Sequence, residues 1–176
     1  MKKFKLHFIL LYMSFFVLML AIPVNNCIQA QWIQTNGPYG GTISSIAADG
    51  NKVVADISFL STDAGKNWKP INKIKSLNSV QALLIRGDTI LAGINYGGLY
   101  ISTNNGSNWD QNIQGLKADA DIMSLAIAGN GKIYAGTDSG LFNSTNNGIS
   151  WSPVHVGLIN IPVTSIAVKE SLIALA

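Results

Sequence analysis

Few residues in this chain can do chemistry. The 176-residue sequence holds nine acidic residues, one arginine (Arg86), one cysteine (Cys27) and two histidines, His7 and His155. Hydrolysis of a glycosidic bond needs two carboxylates facing each other across it. The candidates are Asp49, Asp56, Asp63, Asp88, Asp110, Asp119, Asp121, Asp138 and Glu170. Asp49 and Asp88 stand beside glycines in short turns, and Asp63 belongs to a recurring turn segment. Asp56 and Asp138 each close an apolar strand and are the two acids best placed to face a ligand. The alternative for both is a solvated or turn-capping carboxylate. Asp119-Ala120-Asp121 brings two carboxylates where calcium takes six to eight oxygens, and reads as a connecting loop. A lone cysteine forms neither an intrachain disulfide nor a cysteine-based zinc site, and His155 is the only histidine beyond the leader. No metal and no cofactor is therefore expected. Tyr39 and Tyr96 lie beside loop glycines and are the aromatics expected to be exposed to a ligand. Phe59, Tyr100 and Phe142 fall at related positions and read as repeated packing.

Charge narrows the partners. Lys2, Lys3 and Lys5 precede the first apolar run, whereas residues 31–176 carry eight lysines and Arg86 against eight aspartates and Glu170. That balance is neutral, and a basic nucleic-acid-binding surface is not expected. Basic residues, the apolar stretch from Phe8 to Ile22, Pro23 and a polar stretch ending at Ala30 follow one another in the order of a secretory signal. The apolar run is shorter than the ~20 residues of a bilayer-spanning helix. Residues 1–30 are therefore expected to be a signal peptide cut between Ala30 and Gln31, placing residues 31–176 outside the cytoplasm. An uncleaved anchor and lipidation at Cys27 are the alternatives. Asn25 and Asn26 before that cysteine disfavour the latter.

The elements that must position these residues repeat. Ser61-Thr62-Asp63-Ala64-Gly65-Lys66-Asn67-Trp68, Ser102-Thr103-Asn104-Asn105-Gly106-Ser107-Asn108-Trp109 and Ser144-Thr145-Asn146-Asn147-Gly148-Ile149-Ser150-Trp151 share the pattern Ser-x-(Asp/Asn)-x-Gly-x-x-Trp, with tryptophans 41 and 42 residues apart. A period near 40 indicates a solenoid, propeller or array. Upstream of each box an alternating apolar stretch, a turn and a second apolar stretch recur, in Ile43–Asp56, Val80–Gly93, Ile122–Thr137 and Val163–Ala176. A glycine-led stretch such as Gly97-Gly98-Leu99-Tyr100-Ile101 reads as a third strand, and the box tryptophan opens a fourth. Four short strands per repeat match a propeller blade. Each box glycine supplies positive φ, the Asp or Asn accepts turn N–H groups, and the Trp buries its ring between sheets.

The three segments resemble Asp-boxes (BNR-type repeats), shared by bacterial neuraminidases, sortilin-type receptors, oligoxyloglucan-processing hydrolases and photosystem II assembly-factor-like propellers. The flanks QWIQTNGPYGGTISSIAADG and YAGTDSGLFNSTNNGISW are most similar to the sortilin-type and assembly-factor-like exported bacterial propellers. The resemblance implies an all-β propeller of four-stranded antiparallel blades over residues 31–176. It is incomplete at about three and a half blades, so further blades are expected from a longer chain or a second copy. Repeat one departs from the pattern: it is about four residues short and lacks the glycine pair. Asp-box sialidases clamp a substrate carboxylate with three arginines, and a chain with one arginine and one glutamate cannot build that clamp. Two functions follow as expectations: an exported, non-catalytic module binding a protein or carbohydrate, or the N-terminal part of a polysaccharide hydrolase. Arg86-Gly87-Asp88 spells an adhesion tripeptide but falls where each repeat needs a hairpin turn. The sequons Asn105-Gly106-Ser107 and Asn143-Ser144-Thr145 come with the box composition, and no glycan is expected.

Overall fold

The structure is a computed structural model that describes residues 34–38, 42–72, 74, 79–112, 114–154, 161–169 and 172–176. The chain divides into Met1–Gln34 and Thr35–Ala176. Only the second unit is described in any length. The signal segment, the Ala30–Gln31 junction, Cys27, Tyr39 and His155 lie outside the described residues.

Every regular element among the described residues is a strand. Blade 1 contains β1 (Ile46–Asp49), β2 (Lys52–Ala55), β3 (Phe59–Ser61) and β4 (Lys69–Pro70). Blade 2 contains β5 (Val80–Arg86), β6 (Thr89–Ile94), β7 (Gly98–Ser102) and β8 (Asp110–Asn112). Blade 3 contains β9 (Ile122–Ile127), β10 (Ile133–Thr137), β11 (Gly140–Ser144) and β12 (Ser152–Pro153). β13 (Ile166–Lys169) and β14 (Leu172–Leu175) pair as the first two strands of a fourth blade. All neighbours pair antiparallel in sequence order, and the first strands of successive blades pack on one another.

β6 shows why these sequences make stacked sheets. Its side chains alternate between two faces with the period of two that a strand imposes. Ile90, Ala92 and Ile94 join Val54, Ile57 and Leu60 of blade 1 in one core cluster, whereas Leu91 joins Ile122, Ile133 and Ala135 of blade 3 in another. Both faces are covered, so the strand is apolar along its length rather than polar at every second residue. Gly93 lies on the blade 3 face, where a Cβ would stand 2.7 Å from the Ile122 carbonyl oxygen. Glycine therefore sets how closely β9 can approach β6. Gly136 does the same in blade 3, where a Cβ would come within 2.4 Å of the Val163 carbonyl oxygen.

The short first repeat loses paired positions, not its turn. β2 has 4 residues against 6 in β6, and β3 has 3 against 5 in β7. Three residues separate the strands in both blades, Asp56–Ser58 and Asn95–Gly97. Removing two residues from each arm keeps every side chain on its face, because the period is two. Phe59, Tyr100 and Phe142 are equivalent, opposite Pro70, Gln111 and Pro153, and all are half-buried.

Candidate ligand-binding face

Each blade presents two ends. One carries the hairpin between its first two strands together with the Ser-to-Trp segment. The other carries the turn between strands two and three and the connection into the next blade.

The Ser-to-Trp segments are closed hydrogen-bond networks, repeated three times. Ser61, Ser102 and Ser144 are buried, and their hydroxyls accept from the Gly65, Gly106 and Gly148 amides at 2.8, 2.8 and 2.9 Å. The same hydroxyls donate to Asp63, Asn104 and Asn146 Oδ1 at 2.8, 3.0 and 2.9 Å. Those oxygens accept in turn from the amides of Asn67, Asn108 and Ser150, each at 2.9 Å. The residue before each glycine also has positive φ: Ala64 at 59°, Asn105 at 56° and Asn147 at 59°. Two consecutive left-handed residues thus make the turn, one more than the glycine alone accounts for. The Asn67 amide and side chain, followed by Ser61, hold the Asp63 carboxyl down at about 2.

The three tryptophans differ. Trp151 is buried, and its indole N–H donates to the Gly148 carbonyl at 3.1 Å. Trp68 is half-buried, with the equivalent bond to Gly65 at 2.9 Å. Trp109, expected to be a fully buried anchor, is half-buried and donates instead to the Asn72 carbonyl of the preceding blade at 2.9 Å. Asn72 also donates to the Ser107 carbonyl at 2.6 Å, so the blade 1 exit chain captures this segment and its indole.

At the opposite end, Asp56 is corrected from a ligand-facing acid to a cap. Its Oδ1 accepts from the Ser44 amide, the Ser44 hydroxyl and the Ser45 amide at 3.1, 2.9 and 3.1 Å, which ties down the approach to β1. Tyr96 occupies the middle of the corresponding blade 2 turn. It is 73% exposed, with a φ of 50°. Asp138 is exposed in the blade 3 turn and accepts from the Ser139 hydroxyl at 3.0 Å.

Beside them lies an acid that the sequence reading set aside. Asp121 is 6% exposed, and among the described residues its Oδ1 has no hydrogen-bond partner. Burial, and then the nearby Asp138 carboxylate, push its carboxyl above the usual range, against a hydrogen bond from the Tyr96 amide. Its carbonyl accepts from the Asp138 amide at 3.2 Å, the bond that Ser45 makes with Asp56 and Ser79 with Asn95. Asp121 therefore stands where other repeats place Ser45 and Ser79, and that departure from the repeat was the available signal. Tyr96, Asp121 and Asp138 come together across blades 2 and 3. Tyr39 lies outside the described residues. Among the described residues, no group of three or more His, Cys, Asp or Glu side chains could hold a metal ion.

No family model and no curated protein matches the sequence. Solved structures do. The computationally designed Ika4 protein aligns with a TM-score of 0.57 at 14% identity, covering 84% of this chain and 92% of Ika4. The extracellular domain of a putative hybrid two-component system from B. thetaiotaomicron aligns at 0.53 and 21% identity, over 76% of this chain and 20% of that one. A GH74 enzyme from Niastella koreensis aligns at 0.52 and 15% identity, over 70% of this chain and 24% of the enzyme. The chain thus spans a quarter or less of the two natural proteins. Likenesses at these identities carry the architecture and nothing finer: the chain is a β-propeller arc of four-stranded antiparallel blades.

Proposed function

We propose that the chain is an exported, non-catalytic binding module, and that its ligand, a protein or a carbohydrate, docks on the end that carries Tyr96, Asp121 and Asp138. The observation that carries this reading is Tyr96, a large aromatic held exposed at positive φ in a three-residue turn. Backbone strain of this kind concentrates at binding sites and is kept where the surroundings enforce it. A fixed aromatic face stacks on a sugar ring or an apolar side chain at little entropic cost, and the two acids beside it supply hydrogen-bond acceptors. The repeated networks support reading the three segments as Asp-boxes, and the flanks support the sortilin-type and assembly-factor-like branch. Export rests on residues 1–30. Intact-mass analysis of the secreted protein should show a chain beginning at Gln31, and a product retaining Phe8–Ile22 would overturn that part.

Arrays of uncharged glycans and of peptides test the binding reading. Tyr96→Ala should abolish retention of whichever class binds, while Tyr96→Phe should keep it. Unchanged retention by Tyr96→Ala would sink the proposal.

One observation favours the hydrolase alternative. A buried carboxyl with a raised pKa beside an exposed carboxylate is how acid and base roles are separated. Release of reducing ends from soluble polysaccharides, lost in both Asp121→Asn and Asp138→Asn, would replace the binding reading with this one.

A further inference from the structure

On the hairpin end of the arc, two contacts between blades share one plan and differ in charge. Between blades 1 and 2, Lys52 Nζ donates to the Gly87 carbonyl at 3.0 Å and to Asn105 Oδ1 at 2.9 Å. It also forms an ion pair with Asp88, the only ion pair among the described residues. Between blades 2 and 3, Arg86 Nη1 donates to the Gly131 carbonyl at 3.1 Å and to Asn147 Oδ1 at 2.8 Å. Asn105 and Asn147 are the same position of the repeated segment, and Gly87 and Gly131 both belong to hairpin turns. The acid is what changes: the blade 3 hairpin offers Asn130-Gly131 where blade 2 offers Gly87-Asp88. Lys52 is neutralised, and among the described residues Arg86 is held by neutral oxygens alone.

Arg86 lines a cavity of about 270 Å³ with Asn130, Gly131, Lys132, Thr145 and Asn147. Among the described residues, two cations line it and no carboxylate does. The guanidinium is set in place before any ligand arrives, with Nη1 holding both hydrogen bonds. A Cβ on Gly131 would stand 3.0 Å from Nη2, so the guanidinium packs closely over the turn. A guanidinium with one nitrogen committed still presents a planar pair of N–H donors from Nε and Nη2, which matches the geometry of an oxyanion. Fixing it beforehand removes much of the ordering cost of binding. The other lining groups are amides and a hydroxyl, which suit hydroxyl groups around the anion.

We propose that this cavity binds the anionic group of an acidic saccharide, a uronate carboxylate or a sugar sulfate, with Arg86 and Lys132 on the anion and Asn130, Thr145 and Asn147 toward the hydroxyls. The site lies at the opposite end of the blades from Tyr96 and does not rest on the reading given above.

Titration calorimetry of the full chain at low salt tests it, with oligogalacturonate, a sulfated glycosaminoglycan fragment, an uncharged glucan oligomer, poly-glutamate and inorganic sulfate as probes. One of the two acidic saccharides should bind, and the uncharged oligomer should not; which one binds distinguishes carboxylate from sulfate. Lys132→Gln should weaken that binding about tenfold or more, the loss expected for a charge-assisted contact. Arg86→Gln should weaken it further. Because Arg86 also joins two blades, Lys132→Gln is the decisive variant, and Lys52→Gln controls for loosening the equivalent contact between blades. Tyr96→Ala should leave this binding unchanged. Equal affinity of wild type and Lys132→Gln overturns the proposal. So does preferential binding of poly-glutamate, or binding of inorganic sulfate with neither saccharide bound.

Discussion

The Asp138 amide donates to the Asp121 carbonyl at 3.2 Å, which holds an exposed acid beside a buried one. Asp121 pays for that position. Its folded-state carboxyl is raised, first by burial and then by Asp138. An acid whose folded pKa exceeds its unfolded value destabilises the fold where it is ionised. That cost is absent below the unfolded value of about 3.9 and complete above the folded one. Asp121→Ser, which restores the residue found at Ser45 and Ser79, should therefore stabilise the chain by about 0.5–2 kcal/mol at pH 7. The gain should shrink toward pH 4. Urea unfolding of both proteins at the two pH values checks this, and a gain independent of pH would show that the carboxylate's charge is not the cause.

Asp63 predicts the opposite pH dependence. Its carboxyl is held at about 2 by the Asn67 amide, then the Asn67 side chain and Ser61. Here the folded pKa lies below the unfolded one, so the stabilisation is full above the unfolded value and lost as pH falls through 2. Asp63→Asn reproduces the residue found in the other two segments, Asn104 and Asn146. It should leave the pH 7 melting temperature nearly unchanged and flatten its decline between pH 4 and 2. A variant that declines as steeply as wild type would assign the acid sensitivity elsewhere.

Ala64 adopts a φ of 59° where the equivalent residues are Asn105 and Asn147. The left-handed region costs an ordinary L-residue about 1–2 kcal/mol, and asparagine less. Ala64→Asn should raise stability by about 0.5–1 kcal/mol. The reverse change, Asn147→Ala, should lower it by more, because it also removes the acceptor of Arg86. Chemical denaturation of the pair should show opposite signs.

The tryptophans should not be equivalent. Trp151→Ala removes a ring that is 4% exposed and should cost about 3–5 kcal/mol. Trp109→Ala removes a half-buried ring and a hydrogen bond to Asn72, and should cost less. Ser144→Ala should cost about 1–3 kcal/mol, because the buried Gly148 amide loses its acceptor. Thermal melts of the three variants should rank Trp151→Ala as the most destabilised.

The sequence by itself determined the repeat, the strands and the turn networks, because each depends on residues close in the chain. Every Ser-to-Gly and Asp-or-Asn-to-amide bond in the three segments spans four residues or fewer. Strand period and turn residues act over the same range, so the blade was legible as a local pattern. Tertiary structure decided which acids are free. Asp56 and Asp138 read alike in sequence, yet Asp56 is committed to Ser44 and Ser45, 12 and 11 residues upstream, while Asp138 stays exposed. Asp121 read as a connecting loop because its neighbours, the Tyr96 amide and Asp138, come from turns of different blades. Trp109 holds the same place in its segment as its two counterparts, yet its indole N–H goes to Asn72, 37 residues earlier. Arg86 read as part of a hairpin, and its partners Gly131 and Asn147 lie 45 and 61 residues away. Local periodicity specifies a blade, whereas burial and charge pairing depend on which blade packs beside it.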